Sequence, residues 1–134
     1  MALLNHPIVT AGLAISGLYE CGPLLDAPHV KDNLELSEKE ISELSPMRMR
    51  ASRSFNKRLS IAYCTQVLPA FIANSRDSHA QRVNVHLHGY LIPVIGANHF
   101  TVLDGLRSRK SHLTRALMHL AEVAVEKRKR LSSR

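Results

Sequence analysis

The sequence predicts an α/β fold: about three parallel strands with flanking helices. Two observations predict it. Short, continuous apolar runs alternate with helix-length segments in the order strand, loop and helix, strand, helix, strand, helix; alternation of this kind means βαβ units on a parallel sheet. The final segment also carries Leu113, Ala116, Leu117, Leu120, Ala121, Ala124 and Val125 at i, i+3, i+4 spacing, one face of a long helix.

Each element has its own reason. Gly12-Leu13-Ala14-Ile15-Ser16-Gly17 is an apolar run closed by glycine, a buried strand. Residues 20–36 hold Gly22, Pro23 and Pro28 among polar residues and read as a loop. Ser37 followed by Glu40 is a capping-box pair, so a short helix through Leu44 should follow, ended by Ser45-Pro46. Residues 47–58 are basic and irregular, with Arg48, Arg50, Arg53, Lys57 and Arg58. Leu59-Ser60-Ile61-Ala62-Tyr63-Cys64 is the second strand. Pro69 opens a helix at a position that tolerates proline. That helix carries Leu68, Phe71, Ile72, Ser75, His79, Val83 and His86 on one stripe and should end at Gly89. Tyr90–Ile95 is the third strand, and Pro93 within it indicates an edge or a bulge. Lys127–Arg130 close the last helix with charges that suit its C-terminus.

Composition narrows the function classes. With 134 residues, 45% of them hydrophobic, the chain is one domain's worth and not a disordered one. Trp is absent and aromatics make up 4%, which argues against a base-stacking nucleic-acid surface. The net charge of +7 is uneven: residues 101–134 carry +6 and residues 1–100 only +1. The basicity therefore belongs to the C-terminal helix and tail, and a solvated helix end explains it better than a polyanion site. Cys21 and Cys64 form no spacing motif and read as free thiols in a reducing cytoplasm. The apolar stretch Ile8–Leu18 is too short to span a bilayer, and no Lys or Arg precedes it as a signal peptide would need.

Two segments carry a family likeness. Ala14-Ile15-Ser16-Gly17-Leu18-Tyr19-Glu20, followed by Pro23-Leu24 and Leu44-Ser45-Pro46, is one. Gly96-Ala97-Asn98-His99-Phe100, followed by Val102-Leu103-Asp104 and Leu106, is the other. With Pro69-Ala70-Phe71 and Ser75-Arg76-Asp77 between them, the chain resembles the C-terminal portion of α/β-hydrolases of the kynurenine formamidase (arylformamidase) kind over most of residues 8–121. The resemblance implies a partial α/β-hydrolase domain over 1–126, with 127–134 as a basic tail. It implies hydrolysis of aryl formamides or esters in the intact family, with no cofactor or metal. It makes His99 the general base, which takes the serine proton and returns it to the leaving group. Asn98 and Phe100 would support its loop.

The pattern also departs from the family. No Gly-x-Ser-x-Gly occurs in the chain. Ser16 precedes Gly17, but residue 14 is Ala, and a strand-end Ser-Gly is not expected to form a strained elbow. Met1-Ala2-Leu3-Leu4 reads as the tail of the nucleophile helix, which places the elbow and oxyanion loop further upstream. Where the family carries Gly and, three residues later, an acid, this chain has Cys64 and Val67. Glu20 is the candidate for a relocated acid; the alternative is a solvated loop carboxylate. The expectation is a truncated hydrolase, inactive alone, or else a non-catalytic binding module that pairs with an N-terminal fragment or with itself.

Three smaller features complete the reading. Cys64 would lie near the His99 loop, either as a thiol nucleophile or, preferably, as a small buried residue in place of glycine. His86-x-His88 do not share a helix face, and His112 and His119 lie two turns apart, so no zinc site is expected. The Lys127–Arg130 run gives no convincing nucleic-acid or membrane partner.

Overall fold

The computed structural model describes residues 8–26, 33, 35–49, 57–85 and 87–132. The expectations for Met1–Leu4, for Arg50 and Arg53 and for His86 fall outside these residues.

The alternation produces the sheet it predicts. β1 (Ala11–Ile15), β2 (Arg58–Cys64) and β3 (Leu91–Val94) form one sheet in the order β1-β2-β3, parallel at both pairings. Ala14 pairs with Ile61 and Ile15 with Ala62; Ile61 pairs with Leu91 and Cys64 with Val94. β2 is the central strand and is buried from Leu59 to Cys64. Both faces of a central parallel strand are covered, so a near-continuous apolar sequence is what this position requires. Its serine, Ser60, is fully buried and accepts a hydrogen bond from the Tyr90 backbone N–H. Pro93 lies on β3, at the sheet edge, where its missing N–H breaks no ladder. Just before β3, Gly89 lies so close to the Leu59 carbonyl that any Cβ would overlap it.

The two faces of β2 are covered by different helices. Ala62 and Cys64 point into a cluster with Ile92, Ala97, Val102 and Leu113, with Leu13, Ile15, Val94 and Ala116 packed around it. Leu113 and Ala116 belong to α3 (His112–Ser132), which crosses this face. Tyr63 points the other way, under Arg76 of α2 (Pro69–Asn84). α1 (Glu38–Leu44) is set by the predicted capping box: Ser37 Oγ accepts from Glu40 N–H while the Glu40 carboxylate accepts from Ser37 N–H. Ile41 is its buried anchor.

Two helical faces differ from the sequence reading. The buried residues of α2 are Asn74, Ser75, Ser78 and Arg82, whereas Phe71 and Val83 of the expected stripe are exposed. Small serines let the helix approach the sheet; of the longer polar residues, Asn74 is paired, whereas Arg82 pairs through Nη2 and its buried Nε has no partner among the described residues. Asn74 is bonded to the backbone of Tyr19 and Glu20, and Arg82 reaches the Lys57 carbonyl. α2 also ends at Asn84, short of Gly89. In α3, Leu113 and Leu120 are buried but Leu117 and Val125 are exposed, so only part of its apolar stripe is covered. The basic run lies within the last turns of α3, which continues to Ser132.

Candidate functional site

In a parallel sheet the strands' carboxyl ends share one edge, where residues distant in sequence converge. Here Ser16, Cys64 and the loop carrying His99 meet at that edge.

The His99 loop is built from short-range polar contacts on an apolar base. Gly96 turns the chain after β3 at φ +74, a left-handed value that suits glycine. Its N–H donates to Thr65 Oγ1, and Gln66 N–H donates to the Ala97 carbonyl, so the end of β2 braces the loop. Ala97 and Val102 are buried at its two ends. Between them, Asn98 Oδ1 accepts from the N–H groups of Phe100 (2.9 Å) and Thr101 (3.0 Å) and from the Thr101 hydroxyl. This closes an Asx-type turn with His99 at its tip. Asn98 Oδ1 thus ties the backbone of its own turn. Phe100 presents its ring edge-on to the imidazole at 5.8 Å but is itself 91% exposed.

His99 Nδ1 lies 3.0 Å from Ser16 Oγ. The opposite nitrogen, Nε2, has no hydrogen-bond partner among the described residues, and the side chain is exposed. Ser16 extends the β1 ladder by donating its N–H to the Ala62 carbonyl at 2.8 Å. It does so at φ +51, contrary to the expectation of an unstrained strand end. A left-handed non-glycine residue costs about 1–3 kcal/mol and persists only where its surroundings hold it. Cys64 Sγ, buried beneath, lies 3.5 Å from the same Ser16 oxygen. Sequence reasoning missed Ser16 as a site residue. The available signal was a hydroxyl directly before glycine at the end of an apolar strand, which in a parallel sheet falls on the site edge.

The candidate for a relocated acid, Glu20, has no hydrogen bond to the histidine among the described residues. Glu20 is committed elsewhere: Arg48 Nε donates to Oε2 at 2.9 Å, and Arg48 Nη2 sits 2.8 Å from Oε1. Ser45 Oγ and Gly22 N–H also donate to Oε1. The Arg48 hydrogen bond, more than any other contact, holds this carboxyl below the usual carboxylate range. Glu20 is therefore a clamp between its own loop and the segment after α1, not a relocated triad acid. Val67, where the resemblance would set an acid, is half-buried and packs against the core cluster.

Beside the site, Tyr19 is 5% exposed, and its hydroxyl has no hydrogen-bond partner among the described residues. Burial pushes its pKa up to about 12, so it stays neutral. Both cysteines are buried and free. Among the described residues no group of three His, Cys, Asp or Glu is placed to hold a metal ion. His119 lies against the Tyr90 ring at 5.9 Å, and His112 is exposed at the start of α3. No helix among the described residues is long and apolar enough to cross a membrane.

The arrangement is an α/β unit with a serine–histidine pair at the carboxyl edge of its parallel sheet. No protein-family description matches the chain, and no curated protein or solved structure is detectably similar to it.

Proposed function

We propose that this chain forms the histidine-bearing part of an α/β-hydrolase site of the arylformamidase or carboxylesterase kind, acting on aryl formamides or esters in a reducing cytoplasm. The observation that carries the reading is His99 itself. It sits on a braced loop at the carboxyl edge of the sheet, with Nδ1 on Ser16 and Nε2 without a partner among the described residues. An imidazole so placed takes a proton from an incoming serine hydroxyl at Nε2, then delivers it to the departing amine or alcohol. The 134 residues contain no Gly-x-Ser-x-Gly motif. The serine and the oxyanion donors would come from a complementing polypeptide, and the chain by itself is expected to be inert.

The test is an assay with N-formylkynurenine and a p-nitrophenyl ester. The chain alone should give no turnover above that of His99→Ala. Co-expression with a polypeptide bearing a Gly-x-Ser-x-Gly elbow and an oxyanion loop should give a complex whose turnover is lost with His99→Ala. Turnover by the chain alone that depends on His99 would overturn its inertness. A working complex indifferent to His99→Ala would overturn the assignment of the base.

A second reading, as a non-catalytic binding module, rests on uncovered surface. Every residue of β1 is partly exposed, the strand forms a sheet edge, and Leu117, Met118 and Val125 of α3 face outward. Edges and apolar faces of this kind invite another chain. Gel filtration decides: a concentration-independent monomer counts against self-association.

A further inference from the structure

We infer that Ser16 is the positioning residue for His99: its hydroxyl oxygen accepts the Nδ1 proton, fixes the imidazole in one tautomer and leaves the Nε2 lone pair facing outward. For the use made of Nε2 this rests on the proposed hydrolase reading, but the tautomer itself stands or falls separately.

Among the described residues no acid is bonded to His99. In a hydrolytic triad the acid accepts from Nδ1–H and so decides which ring nitrogen acts as base. Val67 offers no acceptor, and both oxygens of Glu20 are taken by Arg48 and its neighbours. The only group that the described structure puts on Nδ1 is Ser16 Oγ, at 3.0 Å.

Ser16 is also fixed as a positioning group needs to be. Its backbone is pinned to Ala62, and its φ of +51 turns it out of the strand direction at the sheet edge. Beneath it, the buried Cys64 thiol lies 3.5 Å from the oxygen and can donate a weak S–H hydrogen bond. A hydroxyl oxygen has two acceptor sites. One takes Cys64 S–H and the other takes His99 Nδ1–H, leaving the serine proton free to rotate to water. A carboxylate only accepts, whereas a hydroxyl can also donate, so Ser16 selects the Nδ1–H tautomer only while its oxygen accepts from the ring, and it stabilises the imidazolium less.

The reverse polarity, with Ser16 donating to Nδ1, places the proton on Nε2 and makes Ser16 the activated group, so the two arrangements differ in an observable. Long-range proton–nitrogen correlation NMR on the uniformly 15N-labelled chain reads it at about pH 8.5, roughly two units above the ordinary imidazole pKa. His99→Gln assigns the signals. The wild-type ring should show a protonated Nδ1 and an unprotonated Nε2. Ser16→Gly should lose that signature, with Nε2–H becoming the main form. Glycine is the suitable deletion because it adopts positive φ without strain. Ser16→Asp, whose side chain also tolerates this backbone region, should restore the Nδ1–H signature.

A wild-type ring protonated on Nε2 overturns the inference, and so does a signature unchanged in Ser16→Gly. If Ser16→Gly does not fold, as judged from the dispersion of its amide spectrum, the wild-type tautomer and Ser16→Asp decide. Turnover in the complemented complex is measured separately. Its absence counts against the hydrolase reading and leaves the tautomer result untouched.

Discussion

The two sides of the serine–histidine pair are held by different forces. The His99 loop stands on apolar packing: Ala97, Val102 and Leu113 are buried together with Cys64 and Ile92, and Val67 packs against them. The Ser16–Glu20 segment stands on polar contacts. Asn74 ties the backbone of Tyr19 and Glu20, Ser45 takes Cys21 N–H, and Arg48 grips Glu20. Apolar packing is tolerant of detail, because a hydrophobic residue of about the right size keeps most of the burial energy. A buried polar clamp is not tolerant, because a lost partner leaves its neighbours unsatisfied. The serine side should therefore be the more sensitive to conservative change, and the histidine side to loss of volume.

The largest effect is expected on the histidine side. Leu113 is 1% exposed at the centre of the cluster beneath the loop. Leu113→Ala should cost about 2–5 kcal/mol, the range for a buried leucine that leaves a cavity. Leu113→Met should cost under about 1.5 kcal/mol, since it roughly conserves volume. Urea unfolding curves read both. Near-equal losses in the two variants would show that the loop does not rest on packing volume.

Asn74 provides the next test. It is 7% exposed, accepts two backbone N–H groups and donates to the Glu20 carbonyl at 2.8 Å. Asn74→Leu keeps similar bulk and removes all three contacts, leaving buried backbone groups unpaired at about 1–3 kcal/mol. Amide exchange should show the opening localised to residues 17–22. Protection there equal to wild type would remove Asn74 from the serine-side clamp.

This difference also explains what was legible in the sequence. The three strands, their parallel pairing and the capping box at Ser37 all follow from local pattern, and the structure has them; of the edge or bulge that Pro93 indicates, it has the edge. The Asn98 turn is likewise a short-range matter. What pattern cannot give is a polar interior. The buried face of α2 is chosen by Asn74 and Arg82 finding distant backbone partners 55 and 25 residues away. An apolar-stripe rule selects Phe71 and Val83 instead, and those are exposed. Ser16 and Glu20 fail for the same reason. Nothing near Ser16 reveals that a loop 83 residues on will meet it, and nothing near Glu20 reveals Arg48.

The smallest expected effect is the Glu20–Arg48 pair, and it carries a sign. The Glu20 carboxyl is held below its ordinary value by Arg48, so its folded pKa is lower than its unfolded one, about 4.3. A carboxyl lowered on folding stabilises the protein above the unfolded value, and that contribution is lost as pH falls through the folded value. Arg48→Ala should therefore destabilise at pH 7, and the difference from wild type should shrink as pH drops below about 4. The pair is partly exposed, with Arg48 43% accessible, so the cost at pH 7 should be small and fall with added salt. Denaturant midpoints at pH 7 and pH 3.5, each at low and high salt, measure this. A cost for Arg48→Ala that is independent of pH would mean the arginine acts through its aliphatic stem rather than its charge. In that case the serine side would rest partly on packing after all, and the contrast between the two halves of the site would narrow to Asn74 alone.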